Sequence, residues 1–476
     1  MKKSVAAAVA IVVVGAAYTA SSWYVGKRAQ DTIEQAMVQA GQRLAQTVGT
    51  DPAAGGVRLA ISEYKRHVFS SDVVYRLEIS DGAGKPAEYL LSDHLQHGPF
   101  PVGALKSGHL APMLALSRSR LLPSAATQAW FDSLDGASPV TAVSRVGFSG
   151  QATSDWQFKP LNIVQDGDAL KFSGGTMQAV LSNDFRDSKV AGQFGSVDYS
   201  AAEDGGRLVA DGIRLDSTTT WSEGGGRVHS ILSADSVAVS TDGDEALRLG
   251  QVGVTVDSDR KGDLADAALR YDFGSVKADK ADLGSISVGA KGKGLDVAAL
   301  SALAVEYNAI QLRQQERDDP RLTQAEAASL RDKLLALLAS NPQISIDPVV
   351  WKNDKGQSSA RLTVDLARPG DPRAAGTLDA LAAQAVKTVD FEADIAKPMF
   401  VQAFAQSQGA AGDQGAAAMG AMVFDHYAAR LADAGLFVLD GQKASARLAY
   451  RDGEVTANGQ AMSVPEFMQR MLSLLM

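Results

Sequence analysis

The chain contains no cysteine, although it has 476 residues. It can therefore form no disulfide, no cysteine-ligated zinc or iron–sulfur site and no thiolate nucleophile. This absence suits a reducing compartment, and equally a periplasmic protein that is large enough to fold without cross-links. Aromatic residues are also scarce, at 6% of the chain. Strands with so few aromatic side chains predict a thin, extended sheet rather than a thick globular core.

Basic residues are fewer than acidic residues: the chain has 46 Lys and Arg against 55 Asp and Glu, and a formal net charge of -9. A mainly acidic protein repels phosphate backbones, which argues against nucleic acid as a partner. Hydrophobic residues reach 45% and charged residues 21%, so the chain can bury a core and is not a disordered acidic segment. Its length allows about two to four domain-sized units, or one long β-rich body.

The first part of the chain carries one long apolar run. Residues 4–26 hold no charge, and as a helix they would span about 35 Å against a hydrocarbon core of roughly 30 Å. We expect an uncleaved membrane anchor rather than a signal peptide cut near Ala17, because the run continues to an aromatic pair where an interfacial belt would lie. The residues expected in the bilayer are Val9, Ile11, Val12, Val13, Val14, Trp23 and Tyr24.

The orientation follows from the flanking charges. Two basic residues lie on each side of the run, and the free amino terminus favours a cytoplasmic start, which puts the body of the chain outside the cytoplasm. After the anchor, apolar residues from Ile33 to Val48 recur at steps of three and four and predict an amphipathic helix. This helix packs on the body or forms a short coiled-coil seam for a dimer.

The rest of the chain is predicted to be α+β: a β-rich, mainly antiparallel extended sheet with several interspersed helices. Asp-Gly pairs recur, for example at Asp166 and Asp211, and predict tight turns. Apolar residues alternate between them, and Thr323 with Glu326 forms a capping box before a helix. We divide the chain into a transmembrane anchor (1–26), a juxtamembrane helix with an N-terminal α+β part (27–140), an antiparallel β region (141–295), a helical insert (296–345) and a C-terminal α+β part (346–476).

The segment DHLQHGPFP, residues 93–101, holds two of the six histidines and is the main candidate for chemistry. A metal site would use His94 and His97, and Asp93, His109 or His67 could serve as the third ligand. In an extended strand, however, positions 94 and 97 point to opposite faces, and the two prolines oppose a helix. We therefore favour a strand that ends in a stiff turn, and we predict no catalytic residue, metal or cofactor.

Other catalytic motifs are absent from the sequence. There is no Gly-x-Ser-x-Gly elbow of a serine hydrolase. The segment GAKGKG, residues 289–294, lacks the spacing of a phosphate-binding loop, and we interpret it as an ordinary loop.

Four segments occur in an order that resembles a known family: YKRHVFSSDVVYRLEI, HGPFP, LLASNPQISIDPVVWKNDKGQSSARLTVDL and YRDGEVTANGQAM. The chain resembles the YdgA-like family of bacterial envelope proteins, which has no assigned function. The resemblance implies an inner-membrane protein, crossing once, with a large periplasmic body. No catalytic residues come with it. The residues that match a family motif of unknown role are His97, Gly98, Pro99 and Phe100.

These observations leave three hypotheses of function. The first is a non-enzymatic envelope protein, tethered to the bilayer by residues 4–26, that binds a lipid, another hydrophobic ligand or a partner protein along a β-sheet surface. The second is an envelope scaffold or assembly factor that self-associates as a homodimer or larger homo-oligomer. The third is a metal-dependent hydrolase that uses His94 and His97.

Overall fold

The computed structural model describes residues 57–473, except 68–69, 80–85, 99, 183–185, 204, 243, 280, 316–320, 371–376, 410–413 and 452. The predicted anchor at 4–26 and the amphipathic helix after it lie outside these residues. Among the described helices, none combines the length and apolarity needed to cross a membrane. The chain forms two compact units: the first contains residues up to 204, 209–230 and 307–320, and the second contains 205–208, 231–306 and 321–476.

The first unit is built from ten antiparallel strands and two short helices. The helices are α1 (Val102–Lys106) and α2 (Gln128–Asp132). The strands are β1 (Val57–Arg66), β2 (Ser70–Ile79), β3 (Ala87–His97), β4 (Ala115–Leu122), β5 (Val140–Val146), β6 (Ala152–Phe158), β7 (Leu161–Gln165), β8 (Asp168–Phe172), β9 (Gly175–Leu181) and β10 (Asp187–Ser200).

These strands pair in the order β1-β2-β3-β4-β5-β6-β9-β10, and the β7–β8 hairpin pairs through β8 with the last residues of β10, on the same edge as β9. The β7–β8 hairpin turns at Asp166-Gly167, where both residues have positive φ angles, so the predicted tight turn is confirmed there. Both β8 and β9 pair with β10, one after the other, because only Ser173 and Gly174 separate them along the chain.

One face of this sheet carries the core of the first unit. Residues at alternate positions of each strand are buried, as the period of two in a β-strand requires. The main apolar cluster joins β2 to β10, from Val73 and Tyr75 through Trp156 and Met177 to Val190. The opposite face of the same strands carries polar and half-exposed side chains.

Within the described residues, the second unit contains a longer antiparallel meander and five helices, and it shares one further helix with the first unit. Its sheet pairs in the order β13-β14-β15-β16-β17-β18-β20-β21-β22, and β19 pairs with β20. The strands are β13 (Asp244–Lys261), β14 (Leu264–Ala278), β15 (Ala281–Asp296), β16 (Gln343–Asn353), β17 (Gly356–Leu366), β18 (Val386–Ala396), β19 (Val438–Leu439), β20 (Lys443–Arg451), β21 (Glu454–Ala457) and β22 (Gln460–Ser463).

The helices are α3 (Val297–Gln315), α4 (Gln324–Leu338), α5 (Leu378–Ala385), α6 (Lys397–Ser407), α7 (Gln414–Asp433) and α8 (Val464–Ser473). Two further strands, β11 (Arg207–Ser222) and β12 (Gly225–Thr241), contribute residues to both units, as does α3. The β-rich, mainly antiparallel architecture with interspersed helices is therefore confirmed.

The predicted capping box at the start of α4 is confirmed. The Thr323 hydroxyl accepts from the Glu326 backbone N–H at 3.2 Å, and the Glu326 carboxylate accepts from the Thr323 N–H at 2.9 Å. The Asp296 carboxylate likewise accepts from the Ala299 N–H at the start of α3. Each contact satisfies an N–H that the helix itself leaves unpaired.

Two local predictions were wrong. Asp211-Gly212 lies inside β11 and is not a turn, although Gly212 has a positive φ angle. The segment 289–294 is part of β15 and not a loop. Its glycines suit a close backbone approach in this strand, because a Cβ on Gly289 would lie only 2.6 Å from the Asp347 carbonyl oxygen.

Candidate functional site

The two histidines of residues 93–101 lie on opposite faces of β3. His97 is half-buried at the end of the strand, and its Nε2 lies 3.2 Å from the Ser71 hydroxyl. His94 is exposed on the other face, where its Nδ1 lies 2.6 Å from an oxygen of Asp72. The strand geometry thus separates the two imidazoles, as the period of two predicts.

The other candidate ligands are separated in the same way. Asp93 is buried on the His97 face, where its carboxylate accepts from the hydroxyls of Ser117 at 2.5 Å and Ser119 at 3.2 Å. His109 follows α1, with its Nδ1 3.5 Å from Ser107 Oγ. Across the described part of the chain, no group of three or more His, Asp or Glu side chains is arranged to hold a metal ion.

His67 joins His94 in a small exposed cluster around Asp72. One oxygen of the carboxylate contacts His94, and the other lies 3.0 Å from Nε2 of His67. The hydrogen bond from His94 is the main cause that holds the pKa of the Asp72 carboxyl below its usual range. The Asp72 carboxylate of β2 therefore pairs with His67, which follows β1, and with His94 of β3.

Gly98 has a clear structural role in the family motif. Its N–H donates to the Leu114 carbonyl at 2.6 Å, and an added Cβ would lie only 1.9 Å from the Met113 carbonyl oxygen. Only glycine permits this close approach of two backbones. Pro99 lies outside the described residues, and Phe100 is 52% exposed just before α1. The motif thus ends β3 in a tight contact with the segment before β4.

A wide apolar surface covers one face of the sheet in the second unit. The strand register places alternate residues of β13 to β18 side by side on this face, which we name the apolar face. It consists of Val252, Val254, Val256, Leu269, Tyr271, Phe273, Ile286, Val288, Ile344, Ile346, Val349, Trp351, Ala360, Leu362, Val364, Val389, Phe391 and Ala393.

The opposite face of the same strands is charged. Oppositely charged side chains pair on neighbouring strands, with Lys291 contacting Asp347 and Arg361 contacting Glu392. Further along the sheet, Arg451 pairs with Asp390 at 2.8 Å. The charged side chains of these pairs and the apolar side chains of the same strands are therefore separated between the two faces of the sheet.

Within the part of the chain that the structure describes, the middle of the apolar face is open. Ile344 and Ile346 are 42% and 41% exposed, Val256 is 40% exposed and Tyr271 is 39% exposed, although all four belong to the apolar side of the sheet. Isolated exposed apolar residues are common on proteins, but a continuous set on neighbouring strands marks a binding surface.

Among the described residues, helices pack on the two ends of this face. At one end, Phe400 of α6 and Phe424 of α7 pack on Ile395. At the other end, leucines of α4 and α5 pack on Leu366, and residues of α3 and α4 pack on Ala267. The face is therefore bounded along the strand direction by two helical clusters. The sequence shows the alternation of apolar residues in β13, β14, β17 and β18, but it did not predict these residues as a site, because alternation does not reveal what covers a face.

Comparison with known proteins places the whole chain in one family. Residues 1–465 match the model of the family described as bacterial protein of unknown function (DUF945). The chain is 29% identical to Protein YdgA of Escherichia coli (strain K12), over 98% of this chain and 96% of that protein.

Two further relatives have no described function. The chain is 24% identical to the uncharacterized protein YihF of the same strain over 97% of both chains. It is 28% identical to an uncharacterized protein of Haemophilus influenzae over 29% of this chain and 37% of that protein. No solved structure matches the chain significantly. The expected resemblance to YdgA is confirmed, and the chain belongs to the bacterial protein family of unknown function DUF945.

Proposed function

We propose that this protein is a non-enzymatic, membrane-tethered protein of the bacterial cell envelope that binds lipid acyl chains on the apolar face of its second unit. The observation that carries the proposal is the open middle of that face, where Ile344, Ile346, Val256 and Tyr271 each remain about two-fifths exposed. Burying such side chains against an acyl chain would be favourable by about 25 cal/mol per Å² of apolar surface removed from water.

The chemistry of the face favours a lipid over a protein partner. Its side chains are almost entirely aliphatic or aromatic. The Trp351 indole N–H donates a hydrogen bond to the Leu283 carbonyl within the chain. Protein interfaces typically carry about one hydrogen bond per 100–200 Å², whereas an acyl chain needs only apolar contact. The face supplies apolar contact and few polar groups, which suits an acyl chain.

A membrane tether would provide the source of that lipid. Residues 4–26 are uncharged and long enough to cross a bilayer as a helix. With the amino terminus in the cytoplasm, the described units would lie in the periplasm, beside the inner membrane. In this arrangement the apolar face would meet lipids that leave or enter the bilayer.

The proposal is tested by photo-crosslinking of the full chain in membranes that contain a phospholipid with a diazirine-bearing acyl chain. Crosslinked peptides are mapped by mass spectrometry, so that labels on residues 1–56 are counted separately. We expect labels on β13–β18 that fall at least several-fold when Ile344→Gln and Ile346→Gln are combined. Both positions are already exposed, so the fold should tolerate the changes.

Ser345→Gln is the matched control, because Ser345 lies between the two isoleucines and points to the charged face. Labelling of the sheet should be unchanged in this variant. Absence of labels on β13–β18, or equal labelling in all three proteins, would contradict lipid binding at this face. If the full chain sediments instead as a dimer that the isoleucine variant dissociates, a second copy covers the face and the lipid proposal fails.

A further inference from the structure

A polar cleft of about 710 Å³ lies in the first unit, on the face of the sheet opposite to the core. Strands β4, β5, β6, β9 and β10 form its floor, and α1 with the turn after it forms one wall. A volume of this size accommodates a small molecule of one or two sugar-sized units. We name this surface the polar cleft, and its main polar residues are His109, Arg118, Thr141, Arg145, Asp155 and Gln157.

Among the charged side chains that line the polar cleft, Arg118 is the one that can contact an anionic ligand. Asp155 is the acidic residue of the lining, and its two oxygens contact Nη1 of Arg145 at 2.8 Å and the side-chain amide of Gln178 at 2.8 Å. Arg118 makes only a long hydrogen bond, 3.4 Å, to the Gly103 carbonyl, and it forms no ion pair with any described residue. Most N–H donors of the Arg118 guanidinium can therefore form hydrogen bonds with a ligand. This positive group stands out in a chain whose net charge is -9.

A row of neutral polar side chains runs beside this arginine. The register places Thr141, Gln157, Thr176 and Gln193 directly opposite one another on four adjacent strands. At about 4.8 Å between strands, the row extends over roughly 14 Å. Gln157 and Gln193 make no side-chain hydrogen bond within the described part of the chain, so both amides can serve a bound molecule.

We propose that the polar cleft binds an oxyanion carried on a hydroxyl- or amide-rich body. The carboxylate or phosphate contacts Arg118, whose planar fork matches either group with two parallel hydrogen bonds. The body of the ligand lies along the row of threonines and glutamines. The site is independent of the apolar face, because all of its residues belong to the first unit.

The test uses calorimetric titration of the full chain in an uncharged polyoxyethylene detergent, which carries no sugar, at low salt. The probes are N-acetylmuramic acid, its uncharged counterpart N-acetylglucosamine, and glycerophosphoglycerol. We expect one or both anionic probes to bind at least tenfold more tightly than N-acetylglucosamine, since a charge-assisted bidentate contact contributes that much. The preferred anion distinguishes a carboxylated sugar from a phosphate headgroup as the source.

Matched arginine variants identify the contact. Arg118→Gln should weaken binding of the anionic probe at least tenfold, and Arg118→Lys should restore part of it, because lysine keeps the charge and loses the fork. Arg66→Gln is the control, because it removes the same charge from an exposed position of β1 that lies outside the lining of the cleft. Thermal unfolding checks that each variant is folded.

Three results would overturn the proposal. They are the absence of binding for both anionic probes, binding of both anionic probes no tighter than that of N-acetylglucosamine, and equal effects of Arg118→Gln and Arg66→Gln in folded protein. None of these results bears on the lipid proposal, whose variants lie in the second unit.

Discussion

Replacement of Gly98 by alanine probes the family motif directly. The added Cβ would lie 1.9 Å from the Met113 carbonyl oxygen and 2.6 Å from that of Leu114, where real Cβ contacts essentially never fall below 3.0 Å. Both oxygens belong to the backbone just before β4, so they cannot move aside by a change of rotamer as a side chain could. The substitution must therefore push β3 and the start of β4 apart.

The size of the effect follows from two contributions. Forcing an extra carbon into a packed region costs about 1–3 kcal/mol. Separation of the two backbones also weakens the 2.6 Å hydrogen bond from the Gly98 N–H to Leu114, a net loss of about 1 kcal/mol. We expect Gly98→Ala to lower the free energy of unfolding of the first unit by about 2–4 kcal/mol.

Urea unfolding followed by tryptophan fluorescence measures this loss, because Trp130 and Trp156 lie in or against the core of the first unit. Gly147→Ala is the matched control, since its Cβ would meet only ordinary contacts at 3.6 Å and 3.7 Å. That control should change the free energy of unfolding by less than about 0.5 kcal/mol. Equal stability of Gly98→Ala and Gly147→Ala would refute the assignment of Gly98 as a close-contact residue.

Three further predictions concern stability and use the same unfolding assay. Ser144→Ala should cost about 1–3 kcal/mol because it leaves the buried Ser154 hydroxyl without its 2.6 Å partner, and the double Ser144→Ala/Ser154→Ala variant should cost less than the sum of the single changes. Thr323→Ala should cost about 1 kcal/mol, since the Glu326 N–H loses its cap; no loss would contradict the capping box. The folded pKa of Asp72 is lowered from 3.8, so its carboxylate stabilises the fold above that pH and this contribution disappears on acidification through the lower folded value. The difference between wild type and Asp72→Asn should therefore be below about 1 kcal/mol at neutral pH and vanish in strong acid, and a difference that persists there would contradict the pairing.

Local chemistry explains the successful sequence predictions. The capping box at Thr323 and the turn at Asp166-Gly167 depend on residues within a few positions of each other, so the sequence contains all the information that they need. The separation of His94 from His97 follows equally from the period of two in β3. The prediction at Asp211-Gly212 was wrong because the same dipeptide that suits a turn can also occur in a long strand such as β11.

The features that the sequence did not predict depend on pairing between strands that are distant along the chain. The segment 289–294 became strand because β16 approaches it across a glycine, and no neighbouring residue indicates that contact. The polar cleft was missed because the sequence separates Arg118 from Gln193 by 75 positions, and only the register of β4 to β10 brings them to one surface.

By itself, the sequence determined the family, the β-rich class and the side of each strand that is apolar, because side-chain alternation is a property of the local backbone. The tertiary structure alone decided which apolar side stays open to solvent. In the first unit alternate residues such as Val73 and Leu95 are buried, whereas in the second unit Ile344 and Ile346 remain exposed between two helical clusters. Alternation is the same in both units, and what differs is which distant elements pack over the face.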